Sequence, residues 1–217
     1  MNPPSFHFST SRTVLFGLLV LLAGCTTIYS DNPLSDPETA KPDEKLMGEW
    51  MPKPVPKENY LRLNVKKMDA PGYPSGTMKL ILTPFAPGGT PVKGGAIRAG
   101  VIVATEVEGK TFVNLCGRAI EEPAELPAWE KLRAQGFSIL KYSVAQDTLK
   151  LWYVGDESPL KTAVKNGKLK GKFQPAGPGG FGPTVHVTDT GAKLSRLLSN
   201  EEAHIFSGRP EVLARVK

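Results

Sequence analysis

Six stretches of the chain alternate apolar and polar residues with a period of two, and this pattern restricts the fold more than any other feature. A strand points successive side chains to opposite faces, so such a stretch suits a sheet with one wet and one dry side. Residues 60–66 set Leu61, Leu63 and Val65 against Arg62, Asn64 and Lys66, and residues 77–83 align Met78, Leu80 and Leu82. The runs 99–107 and 111–115 flank Glu108-Gly109-Lys110, while 137–144 and 148–154 flank Ala145-Gln146-Asp147. Both arrangements predict hairpins.

Helical signals are shorter. Residues 126–135 carry Pro127, Trp129, Leu132 and Arg133 ahead of a stop at Gly136, and Ser158-Pro159 opens a helix that buries Leu160, Ala163 and Val164. Asn166-Gly167 would end that helix, although the same pair suits a type I′ hairpin turn. Beyond Val185-His186-Val187, Asp189 is expected to cap a helix presenting Leu194, Leu197 and Leu198, and residues 212–216 to form a closing strand. Gly88-Gly89, Gly94-Gly95 and residues 175–183 read as loops. Strands joined by short turns, with helices at irregular intervals, predict a mainly β domain with short helices: an antiparallel β-barrel or sandwich, not a parallel α/β sheet.

Ahead of this domain the chain changes character twice. Residues 1–12 are polar and end in Arg12, residues 14–23 are apolar apart from Gly17, and after Cys25 the sequence turns polar. About 18 to 20 apolar residues are needed to cross a bilayer, so the run predicts an export signal instead of a span. Residues 25–43, rich in Pro, Ser, Asp, Thr and Lys, predict a flexible tether reaching on the order of 20–25 Å. The expected division is a signal peptide over 1–24, a tether over 25–43 and a β-rich domain over 44–217.

Leu22-Ala23-Gly24-Cys25 resembles the lipobox of bacterial lipoproteins, in the order aliphatic, small, small, cysteine. Small side chains let the backbone lie extended in a peptidase cleft, and the thiol can be alkylated to a thioether-linked diacylglycerol. The resemblance implies cleavage before Cys25 and acylation of that residue; at about 0.8 kcal/mol per buried methylene, two or three chains hold firmly. Thr26 stands where an aspartate favours inner-membrane retention in the enterobacterial pattern, which implies the outer membrane, at its periplasmic face or surface. Gly48-x-Trp50 resembles the Gly-x-Trp signature of lipocalins, whose tryptophan closes the barrel floor against an arginine near the chain end, a role that Arg215 matches. The helical region around Trp129 interrupts the plain eight-strand meander of that family. The domain as a whole resembles lipocalin-like bacterial lipoproteins of unassigned activity.

Reactive side chains are few. Without residues 1–24, which contain one charged group, Arg12, the formal net charge falls from +6 to +5, a balance suited to anionic headgroups and cell-wall polymers and not to nucleic acid. Two cysteines are present; with Cys25 acylated, Cys116 has no disulfide partner and reads as a small buried hydrophobe. His186 and His204 lack metal-ligand spacing, so no metal or cofactor is expected, and His186 reads as a solvated or hydrogen-bonded strand residue. Neither a Gly-x-Ser-x-Gly elbow nor His-Glu-x-x-His occurs. Glu121, Glu122 and Glu125 read as an exposed loop, and Lys161, Lys165, Lys168, Lys170 and Lys172 as a solvated face or a contact with an anionic surface. Trp50, Trp129, Tyr142, Trp152 and Tyr153 either line an apolar pocket or fill the core, with Trp152 facing outward beside Lys150 and Val154. The sequence therefore predicts no catalytic residue and no enzyme. It predicts a lipid-anchored envelope lipoprotein acting as a binding or interaction module, with a lipocalin-like carrier of a small hydrophobic ligand as the alternative. Its expected partners are the membrane, through Cys25, and an envelope protein or that ligand.

Overall fold

The computed structural model describes residues 27–121, 126–174 and 184–217. In chain order the strands are β1 (Thr27–Ser30), β2 (Gly48–Pro52), β3 (Tyr60–Lys67), β4 (Thr77–Phe85), β5 (Arg98–Val107), β6 (Lys110–Glu121), β7 (Phe137–Ala145), β8 (Thr148–Trp152), β9 (Gly171–Gln174), β10 (Thr184–Val187) and β11 (Glu211–Arg215). Among the described residues three short helices accompany them: α1 (Trp129–Arg133), α2 (Ser158–Lys165) and α3 (Gly191–Ser199), the last followed by a 3-10 turn at Glu201–Ala203.

Eight of the strands close a barrel. β2 to β8 form an antiparallel meander, and β11 joins β8 to β2, so every barrel neighbour is antiparallel. Closure removes the sheet edges that an open meander would expose. Both predicted hairpins are present, and in the β5–β6 turn Glu108 and Gly109 take φ of 50° and 72°, the left-handed pair that a two-residue turn matched to strand twist requires. A register shift between Ala99 and Val101 bulges β5. The helix around Trp129 does not interrupt the meander, because it sits in the β6–β7 connection and packs outside the wall: Trp129 and Leu132 cover Val101, Val103, Cys116 and Phe137.

The expectation of a flexible tether is overturned for residues 27–43. Strand β1 pairs antiparallel with the first residues of β7 and parallel with β10, burying Ile28 completely. The chain then runs along the outer wall, where Leu34 is buried and its N–H donates to Asn114 Oδ1 at 2.9 Å. Asn114 is itself fully buried and donates through Nδ2 to the Val103 carbonyl and Thr105 Oγ1 on β5, so both of its polar atoms are satisfied while Oδ1 fastens this segment down. Asp43 accepts from the Tyr142 hydroxyl at 2.6 Å, and Leu46 is buried against the barrel core. Residues 1–26, on which the signal peptide and Cys25 fall, lie outside the described residues.

A second core lies outside the barrel. Strands β1, β10 and β9 extend the sheet from β7, and α2 and α3 pack on this extension so that Ile28, Leu160, Val185, Val187, Leu194 and Leu198 meet the outward Phe112 and Ile139. Helix α2 starts and stops as Ser158-Pro159 and Asn166-Gly167 suggest. The cap of α3 differs from expectation: Thr190 is its N-cap, and the buried Asp189 instead accepts backbone N–H groups of Lys170 and Thr190, which hold its carboxyl below the ordinary range. Strand β8 ends at Trp152, and Val154 lies on the outer side of the barrel as expected, where the second core buries it. Glu121 ends β6 instead of lying in a loop, while Glu122, Glu125 and the loop at 175–183 fall outside the described residues.

Candidate functional site

The two ends of the barrel interior differ. At the end where β2 begins and β11 finishes, the fully buried Trp50 stands opposite Arg215 in register. The Arg215 guanidinium carbon lies 4.2 Å from the centre of the indole ring, its Nη1 and Nη2 donate to the Met47 and Lys45 carbonyls at 2.6 and 2.9 Å, and the indole N–H donates to the Leu46 carbonyl at 2.9 Å. Gly48 has φ of 120°, and a Cβ there would lie 2.5 Å from Arg215 Nη1, so the glycine is required both by the backbone and by the close approach of the guanidinium. This latch, with Val65, Met78, Ile102, Val113, Tyr142, Leu149 and Leu213 packed around Trp50, forms a packed floor, at whose rim Met47 and Val144 stay half-buried.

Toward the other end the inward positions are no longer sealed. Leu63, Leu80 and Leu115 touch the core cluster yet remain half-buried. Leu61, Leu82 and Leu140, which follow on the same inward face by alternation, are half-buried too. Loops 53–59 and 86–97 follow β2 and β4 at this end, and they carry the two large hydrophobic side chains that are exposed among the described residues, Val55 at 43% and Ile97 at 37%. Polar groups also point inward here, among them Arg98, Glu211 and Tyr153. Glu211 stands opposite Leu151 at the start of β11, and the Tyr153 hydroxyl donates to its Oε2 at 3.1 Å. Burial raises the Glu211 carboxyl above its ordinary value, and the Tyr153 bond only partly opposes that.

The residues singled out by sequence do not converge on a reacting centre. Cys116 is fully buried on the outer wall, where burial pushes its thiol up to about 12 and leaves almost no nucleophilic thiolate at neutral pH. His186 faces away from the buried Val185 and Val187, as its alternation suggests, and its Nε2 lies 2.6 Å from Asp31 Oδ1, with the Tyr29 ring edge-on at 5.2 Å. His204 closes the 3-10 turn in a left-handed conformation. Of the expected aromatic set, Trp50 and Tyr142 fill the floor, Trp129 seals the outer wall, and Trp152 lies outside, half-buried, with Lys141 Nζ 5.5 Å from its ring centre. Lys165, Lys168, Lys170 and Lys172 are exposed, while Lys161 pairs with Glu157 and sits 3.9 Å over the Phe173 ring. Among the described residues no group of three His, Cys, Asp or Glu side chains could hold a metal ion, and no helix is long and apolar enough to cross a membrane.

Sequence reasoning missed Glu211 and Asn114. Alternation carried a signal for the first, since Glu211 shares the face of Leu213, whereas Asn114 in an apolar run gives no hint of the distant Leu34 that it holds.

A closed antiparallel barrel of eight strands, with its floor latched by a tryptophan and an arginine, is consistent with a lipocalin-like fold. Compared with protein families, with curated proteins and with solved structures, the chain matches none.

Proposed function

We propose that this chain is a lipid-anchored envelope protein whose barrel binds a small apolar ligand through its mouth. One observation carries the reading: Trp50 and Arg215 plug the floor, whereas half-buried leucines line the mouth, an apolar surface that an occupant would cover. Catalysis finds no support in the reactive side chains, since Cys116 is buried on the outer wall and His186 is engaged by Asp31. The anchor reading rests on Leu22-Ala23-Gly24-Cys25 after an apolar run, with the outer membrane favoured by Thr26. If Cys25 is acylated, β1 begins two residues later, and a chain of about 8 Å holds the barrel against the bilayer with no long leash between them.

Native mass spectrometry of the protein released from host membranes tests the ligand. A bound apolar molecule is expected on the parent and not on a variant with Leu82→Trp and Leu140→Trp, which fills the mouth; a parent that stays empty even with lipid extract added counts against carriage and returns the barrel to a protein-interaction role. For the anchor, Cys25→Ser should abolish fatty-acid labelling and release the protein from membranes.

A further inference from the structure

Glu211 is an acid in an apolar setting. On the inward face Leu151 stands directly opposite it, and Leu213 follows two residues along its own strand. Tyr153 supplies its one hydrogen bond, to Oε2, and among the described residues no cation pairs with it. Arg98 faces inward from β5, which is four strands from β11 in either direction round the barrel, and it is already engaged by another partner. A half-buried carboxylate with one oxygen left without a protein partner is costly to keep charged, and the cost falls most when a cationic donor meets it.

We propose that Glu211 is the head-group acceptor of the barrel, and that the ligand is an amphiphile with an apolar body and a protonated amine. The leucines at the mouth take the body, and Oε1 receives the ammonium while Tyr153 holds Oε2 and fixes the carboxylate plane. This assignment rests on the reading of the mouth as a ligand site and names the chemistry of what enters it. An alcohol of the same length would offer a neutral donor and gain less, and a fatty acid would set two carboxylates together.

The test uses the full chain in its own membranes and three photoactivatable twelve-carbon probes, an amine, an alcohol and a carboxylic acid. Covalent labelling of peptides from β4 and β7 is read for the parent, Glu211→Gln and Tyr153→Phe. Comparing variants in one membrane cancels the partitioning of each probe into lipid. Amine labelling should fall roughly tenfold in Glu211→Gln, the factor expected when a charge-assisted bond becomes a neutral one, and by a smaller factor in Tyr153→Phe, which frees the carboxylate to turn, while alcohol labelling stays level in both. Amine labelling that survives Glu211→Gln would overturn the proposal, and so would acid labelling as strong as that by the amine, which would move the head-group site to Arg98. If no probe labels the interior, the ligand reading fails and takes this assignment with it.

Discussion

Along a single barrel strand the environment changes within two residues. On β4 Met78 is sealed while Leu80 and Leu82 stay half-open; on β6 Val113 gives way to Leu115, and on β7 Tyr142 to Leu140. All seven side chains point inward, so pleat and propensity cannot account for the difference. What differs is closure. The floor is crossed by Leu46, Trp50 and Arg215, and Asp43 at the end of the outer segment reaches Tyr142, whereas Leu61, Leu82 and Leu140 at the mouth stay half-buried. The floor therefore concentrates stability, and the mouth keeps apolar surface available for an occupant.

The severest test removes the plug. Trp50→Ala takes away the largest buried side chain and leaves the Arg215 guanidinium without its ring, so a loss of about 3–5 kcal/mol is expected. At about 2–4 °C per kcal/mol for a chain of this size, the melting temperature should fall by roughly 6–20 °C. A drop no larger than that of a mouth leucine would break the contrast. Matched truncations sharpen it. Leu149→Ala on the sealed side should cost about 2–5 kcal/mol, whereas Leu82→Ala, already half-exposed, should cost about 1 kcal/mol. Ligand affinity should order the pair the other way, with Leu82→Ala weakening binding more than Leu149→Ala below both melting temperatures.

A fourth variant asks whether the wrapped segment helps to close the floor. Asn114→Ala leaves the buried Leu34 N–H without its acceptor and should cost about 1–3 kcal/mol. Hydrogen exchange should speed up in residues 31–46 and not in loops 53–59 or 86–97. Uniform acceleration would mean that the barrel responds as one body and that its two ends are not independent.

The contrast also explains which parts of the fold could be read from sequence. Local alternation marks β3 to β8, and two-residue turns mark the hairpins, because each is decided by neighbours in the chain. Gly48, Trp50 and Arg215 were legible through a three-residue signature and one distant arginine, and the structure brings them together. Residues 27–43 were misread because their polar composition is that of a free segment. Only the apolar groove meeting Ile28 and the Asn114 amide 80 positions beyond Leu34 turn them into structure. Strands β9 and β10 are four residues each and gain their order from β1, so their pairing had no local basis to reveal. The mouth was invisible for a related reason: alternation says which side chains point inward and nothing about where the interior stops being sealed.

The smallest effect belongs to Glu211 and separates the ends by pH. Its carboxyl is raised above the ordinary value of 4.5 by burial, so the folded protein retains a proton over a range in which the unfolded chain has already lost it. Stability contributed by this group is then full below pH 4.5 and declines as pH rises through the raised value. Glu211→Gln cannot ionise, so the gap between variant and parent should open above pH 4.5, with the variant the more stable at neutral pH in urea melts taken across the series. An amine ligand should close that gap by stabilising the ionised parent, whereas a ligand without charge should leave it open. A parent that instead gains stability through this range would mean that the carboxylate is already paired in the fold, and the mouth would then be closed by its own charges much as the floor is closed by Trp50 and Arg215.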